Sequence, residues 1–227
     1  MSGWSTAIII AQLTLTRLFR GRAVWISVII AALPIAFASA LRGRADVEVS
    51  GPVSAFEMLL IAIVPAMFVA SSIGDDIEDR TTTYLWSRPV PRWSVLAGKL
   101  LALAPLSALL VAASWAASVF IGEGALPSAM STVSFAVGAI IASFACAGIA
   151  TLVPKHGMPL TIAYMLFFDI PVGAMPISLA KLSITHQLRA LGGFHPEDTA
   201  LSGAIGLTAI GAVWLALALW RVRRLEA

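Results

Sequence analysis

Residues 100–122 read LLALAPLSALLVAASWAASVFIG, without a single charge. About 20 apolar residues in a helix cross a bilayer core about 30 Å thick. Four further uncharged runs of similar kind cover residues 23–41, 58–74, 124–154 and 199–220. A sixth run, 157–180, is broken only by Asp169. None shows the two-residue alternation of a barrel strand. Backbone amides and carbonyls in lipid must be satisfied within the segment, and a helix does this. The predicted fold is therefore an all-α membrane protein with six transmembrane helices, one domain over residues 1–227. Composition agrees: 59% of residues are hydrophobic and 12% charged, against about 25% charged in soluble domains. The lone cysteine, Cys146, excludes an intrachain disulfide framework. The formal charge of +3 sits at run ends, which favours membrane topology over nucleic-acid binding.

Between the second and third runs lies one charged stretch, residues 75–99, DDIEDRTTTYLWSRPVPRWSVLAGK. It holds eight of the 27 charged residues. Pro89 and Pro91 interrupt helix formation and force a turn. The expected shape is helix, proline turn, helix, with residues 93–99 as a short amphipathic piece entering span 3. Asp76, Glu78, Asp79, Arg80, Arg88 and Arg92 supply charge, and Tyr84, Leu85 and Trp86 supply apolar contact. A docking peg and a solvated loop both fit these residues.

Topology follows from the basic residues. With six crossings and the N-terminus inside, the inside segments hold Arg17, Arg20, Arg22, Arg80, Arg88, Arg92, Lys99, Lys155, Arg221, Arg223 and Arg224. The outside holds Arg42, Arg44, Lys181 and Arg189. Eleven against four fits the positive-inside rule with both termini cytoplasmic. Residues 1–22 read as an amphipathic helix, with Trp4, Ile8, Ala11, Leu15, Leu18 and Phe19 on one face and Thr16, Arg17 and Arg20 opposite. It lies either in the membrane interface or against other helices as core. Residues 42–56 read as a short outside loop. Gly138, Ala142, Cys146 and Ala150 form a small-residue stripe suited to close helix approach. Span 5 is irregular, interrupted by Pro159, Pro171, Gly173 and Pro176. Residues 177–201 form an extracytoplasmic segment of short surface or re-entrant helices.

The stretch 78–99 resembles the cytoplasmic loop of ABC-2-type permeases, the membrane subunits of one class of ATP-binding-cassette transporters. The matching positions are Glu78, Asp79, Thr81, Tyr84, Leu85, Trp86, Ser87, Pro89, Val90, Arg92, Gly98 and Lys99. Arg80 stands where that family has glycine. The six-span order, the N-terminal helix and the broken fifth span extend the resemblance along the chain. It implies a non-catalytic permease subunit that exports its substrate from the bacterial cytoplasmic (inner) membrane. It further implies a coupling helix received by a separate nucleotide-binding ATPase subunit, and a second permease copy, identical or homologous. ATP and magnesium would then belong to the ATPase. The coupling residues it designates are Asp76, Glu78, Asp79, Arg80, Thr81, Tyr84, Leu85, Trp86, Arg88, Pro89 and Arg92.

Gly98-Lys99 is no phosphate loop, because Trp93 and Leu100 stand where that motif needs glycine and Ser/Thr. Asp169 is the acidic residue that the sequence places within a span. It either faces a substrate pathway or caps a short helix near the outer surface if span 5 breaks near Pro171. His156, His186 and His195 fall in loops, with no metal-ligand spacing. The alternatives to a permease subunit are an ATP-independent channel or carrier and a membrane-embedded enzyme. Serines 114, 118, 134 and 143 lie in spans, yet no histidine accompanies them, which counts against serine chemistry.

Overall fold

A computed structural model describes residues 3–43, 48–78, 91–195 and 198–224. Six helical segments are long and apolar enough to cross a membrane: Arg22–Leu41, Ser50–Gly74, Arg92–Glu123, Ala129–Leu152, Pro154–Ala174 and Ala200–Arg224. We call them spans 1 to 6. They run alternately up and down. The N-terminal helix Gly3–Arg20, the residues flanking 79–90 and the end of span 6 share one end of the bundle, here the hairpin end.

Spans 2, 3 and 4 are the core, and spans 1, 5 and 6 have most of their surface outward. Small residues decide this. Ala139, Ala142, Cys146 and Ala150 of span 4 are wholly buried, and a Cβ on Gly138 would collide with Leu188 and crowd Ile61. With side chains this small, backbones can approach closely and gain dispersion contacts that lipid tails would otherwise supply. The stripe is thus a packing surface.

Three boundaries differ from the sequence reading. Span 2 begins at Ser50, not near residue 58, so the preceding loop is shorter than 42–56. Pro52 is tolerated there, since the first-turn amides of a helix have no intrahelical acceptor. Glu57 is thereby drawn into the span. At the hairpin, span 3 is one helix of 32 residues starting at Arg92, about 48 Å long. Residues 93–99 are its first turns, not a separate piece, because Pro91 lies just before the helix and the next proline, Pro105, is tolerated within it. Span 5 does not break at Pro171. It opens into a π turn at Met165–Asp169 and continues helically to Ala174. A wider turn absorbs the hydrogen bond that Pro171 cannot donate. A second π turn, Ala66–Ala70, follows Pro65 in span 2. At the far end, Gly124 closes span 3 with φ +74°, a left-handed conformation that favours glycine. The Ser128 side chain then caps span 4.

Residues 178–191 fold back into the far end as a 3₁₀ turn, Ser178–Leu182, and a helix, Ile184–Leu191. This inserted helix is buried on almost every side. Glycines on three spans make room for it: Gly138 against Leu188, Gly173 against Ser183 and Thr185, and Gly203 against the backbone of Leu191.

Candidate functional site

The limbs of the 75–99 stretch are continuous with spans 2 and 3. The outgoing limb, Ser71–Glu78, follows the π turn of span 2, and the returning limb begins at Arg92. Of the residues singled out by the sequence, Asp76 and Arg92 lie on these limbs, and Glu78 ends the first. Asp79, Arg80, Thr81, Tyr84, Leu85, Trp86, Arg88 and Pro89 lie outside the described residues.

Lys99 joins the two limbs. Its side chain is buried on span 3, and its ammonium pairs with Asp76 and donates to the carbonyl of Ser72. The other oxygen of Asp76 lies 3.5 Å from the Arg17 guanidinium on the N-terminal helix. One carboxylate thus ties together three elements. Next to Lys99, Gly98 lets the N-terminal helix cross: a Cβ there would sit 2.6 Å from the Ala7 carbonyl oxygen and 2.9 Å from the Ile10 Cβ. Trp93 extends the contact, meeting Trp4 edge to face at 5.3 Å. Arg92 reaches the carbonyl of Arg223 at 3.4 Å, so the end of span 6 also borders the limbs. A buried ion pair holds position well, because separating its members leaves a charge stranded in low dielectric. This junction can transmit a rigid displacement of the hairpin into spans 2 and 3 and the N-terminal helix together.

The packed face of the N-terminal helix overlaps the expected apolar face in part: Ala11, Leu15 and Leu18 pack against the core. Ala7 is its buried residue, while Trp4, Ile8 and Phe19 of the apolar face are exposed, as are Thr16, Arg17 and Arg20. At Gly98 the crossing brings Ala7 and Ile10 against span 3, while Trp4, Ile8 and Phe19 remain outward.

Asp169 lies five residues from the end of span 5 and is wholly buried. It caps a helix, but a neighbouring one. Its carboxylate accepts from the amides of Ile184 at 2.9 Å and Thr185 at 3.0 Å, and from the hydroxyls of Thr185 at 2.6 Å and Ser183 at 3.2 Å. Negative charge at a helix N-terminus is favourable because the first amides there are unpaired and point toward it. Ser183 adds its own cap, accepting from the amide of His186. His186 is in this buried helix rather than in a loop. Its Nε2 is 3.1 Å from Asp198, and the His195 ring lies 5.0 Å away.

Glu57 was not singled out in the sequence. It is wholly buried in span 2, with one oxygen 2.7 Å from the Ser114 hydroxyl of span 3. That hydroxyl also lies 2.8 Å from the Ala31 carbonyl of span 1. The other Glu57 oxygen has no hydrogen-bond partner among the described residues. An ionisable group at such depth is costly and commonly lines a cavity or pathway. The signal was available: Glu57 adjoins the apolar run at 58–74, and helices commonly extend a turn beyond an uncharged core.

Six apolar spans around a small-residue core, with the limbs of the 75–99 stretch clamped together, define a multi-pass membrane protein. A family model described as ABC-2 family transporter protein matches residues 15–179, and the chain belongs to that family. The match runs from the N-terminal helix through span 5 to the start of the inserted segment. No curated protein matches the chain.

Proposed function

We propose that this chain is the permease subunit of an ABC-2-type exporter, in which two copies, or one copy and a homologous chain, enclose the substrate path. A separate ATPase subunit receives the hairpin and hydrolyses ATP with magnesium. The chain itself contributes no catalytic group. On this reading the hairpin end faces the cytoplasm of a bacterial inner membrane, and the eleven-to-four bias of basic residues supports that orientation. Asp76, Glu78, Asp79, Arg80, Thr81, Tyr84, Leu85, Trp86, Arg88, Pro89 and Arg92 form the coupling surface. Asp169 borders the far end of the path by holding the inserted helix in place.

The observation that carries the proposal is the Lys99–Asp76 pair at the root of the hairpin. A solvated connector has no need of a buried lysine clamping its limbs, whereas a lever has. Membership of the family supports an ATPase partner in general. The test replaces Glu78 and Arg92 by alanine in the full-length chain, co-expressed with an ATPase encoded beside it. Loss of the ATPase from pull-downs, or hydrolysis without transport, is expected. Unaltered assembly and unaltered transport together overturn the coupling assignment.

A further inference from the structure

Beneath the N-terminal helix lies a cavity of about 360 Å³, bounded also by the start of span 1, the π turn of span 2 and span 3. It is within the size range of small-ligand sites, about 300–1,000 Å³. Its lining has two halves. Leu13, Leu18, Phe68 and Leu103 are apolar, while Arg17, Arg22 and Lys99 are basic, and Asp76 is the one acid of the lining among the described residues. Lys99 and Asp76 pair with one another at the inner side. Arg17 and Arg22 are the cations available at the mouth. Both guanidinium groups are at exposed positions, and Arg22 has no carboxylate within ion-pair distance among the described residues.

The surface continues below the mouth in a telling order. Arg22, Trp25, Ile26, Ile29 and Leu33 fall on one face of span 1 at helical spacing, and all are exposed. A cation therefore heads an apolar stripe that runs into the membrane, beginning where an apolar span meets the interface. Trp25 sits one turn in, where an indole bridges headgroup and acyl regions. Arginine forks match phosphate oxygens in pairs.

We infer that this cavity binds the headgroup of an anionic phospholipid from the leaflet at the hairpin end, with its acyl chains along Trp25, Ile26 and Ile29. The phosphate takes Arg17 and Arg22. Since Arg17 also pairs with Asp76 at the root of the hairpin, the lipid and the hairpin junction compete for one guanidinium, and occupancy adjusts how firmly the N-terminal helix is tied to the limbs. The binding claim does not depend on the transport reading, because the site lies within this chain.

The test uses the full-length chain in neutral detergent, titrated with phosphatidylglycerol or phosphatidylcholine of equal chain length and followed by native mass spectrometry. Preferential retention of phosphatidylglycerol is expected. The double variant R17Q/R22Q should weaken it by at least about tenfold, each cation near an anionic headgroup counting for roughly a factor of five. R17K/R22K should recover part of the preference, and R20Q, outside the lining, should retain it. Equal retention of the two lipids, or a preference that persists in R17Q/R22Q, overturns the proposal. Complete displacement by excess inorganic phosphate also overturns it, in favour of a free-phosphate site. If R17Q/R22Q does not fold, a photoactivatable phosphatidylglycerol on the unmodified chain decides: adducts at Leu13 or Trp25 support the site, and adducts confined elsewhere refute it.

Discussion

Lys99 and Asp169 each place a full charge where water is scarce, and each has its partners within the chain. For Lys99 the partners are Asp76 and the Ser72 carbonyl. Replacing it by methionine keeps the length of the side chain but takes from Asp76 its buried ammonium partner. Breaking such a pair from one side costs about 3 kcal/mol or more. K99M should therefore lower the melting temperature in detergent, and D76N/K99M should recover part of the loss, because the carboxylate charge is then removed with the ammonium. Equal melting of K99M and the parent would remove the clamp. For Asp169 the partners are four donors of residues 183–185. D169N turns one acceptor oxygen into a donor facing other donors, and should cost about 2 kcal/mol. Limited proteolysis should then cut within residues 178–195. Transport loss at an unchanged melting temperature would instead assign the carboxylate to the substrate path.

Among the elements, the N-terminal helix owes its position to a glycine on another helix. At Gly98 there is no room for a side chain, as the Ala7 carbonyl is already in contact range. G98L should push the helix away from span 3, and the Trp4–Trp93 contact should open. The yield of a thiol-reactive crosslinker joining cysteines at positions 4 and 93 should be lost in G98L and retained in part in G98A. Retention in both would show that the helix is held elsewhere. The amphipathic character of this helix was legible in the sequence, and Ala11, Leu15 and Leu18 of its apolar face do pack against the core, but the contact of Ala7 and Ile10 with Gly98 was not. Side-chain size on the partner decides that, and spacing along the helix itself carries no information about it. The same holds for span 5, whose prolines predicted irregularity correctly but not its form. Whether proline breaks a helix or widens one turn depends on what packs around it, here the inserted helix held by Asp169.

For the whole molecule, an even number of spans places both described ends beside the hairpin. Cys146 is buried within span 4, so it gives no background to thiol labelling. Single cysteines at Arg88 and at the exposed Leu179 should label in opposite patterns. An impermeant reagent on intact cells should reach position 179, and position 88 only after permeabilisation. Labelling of position 88 in intact cells would invert the orientation read from the arginines.

The sequence by itself determined the solvent of this protein, the number of its spans, and the stretch between spans 2 and 3 that sets it apart. These follow from hydropathy and from local proline and charge chemistry, which act over a few residues. Tertiary structure alone decided that Glu57 is interior, that Asp169 caps a helix beginning fifteen residues later, and that Lys99 fastens the hairpin to its spans. The partners of these charges lie on other helices, brought within about 3 Å by packing, and a buried charge has its meaning from those partners.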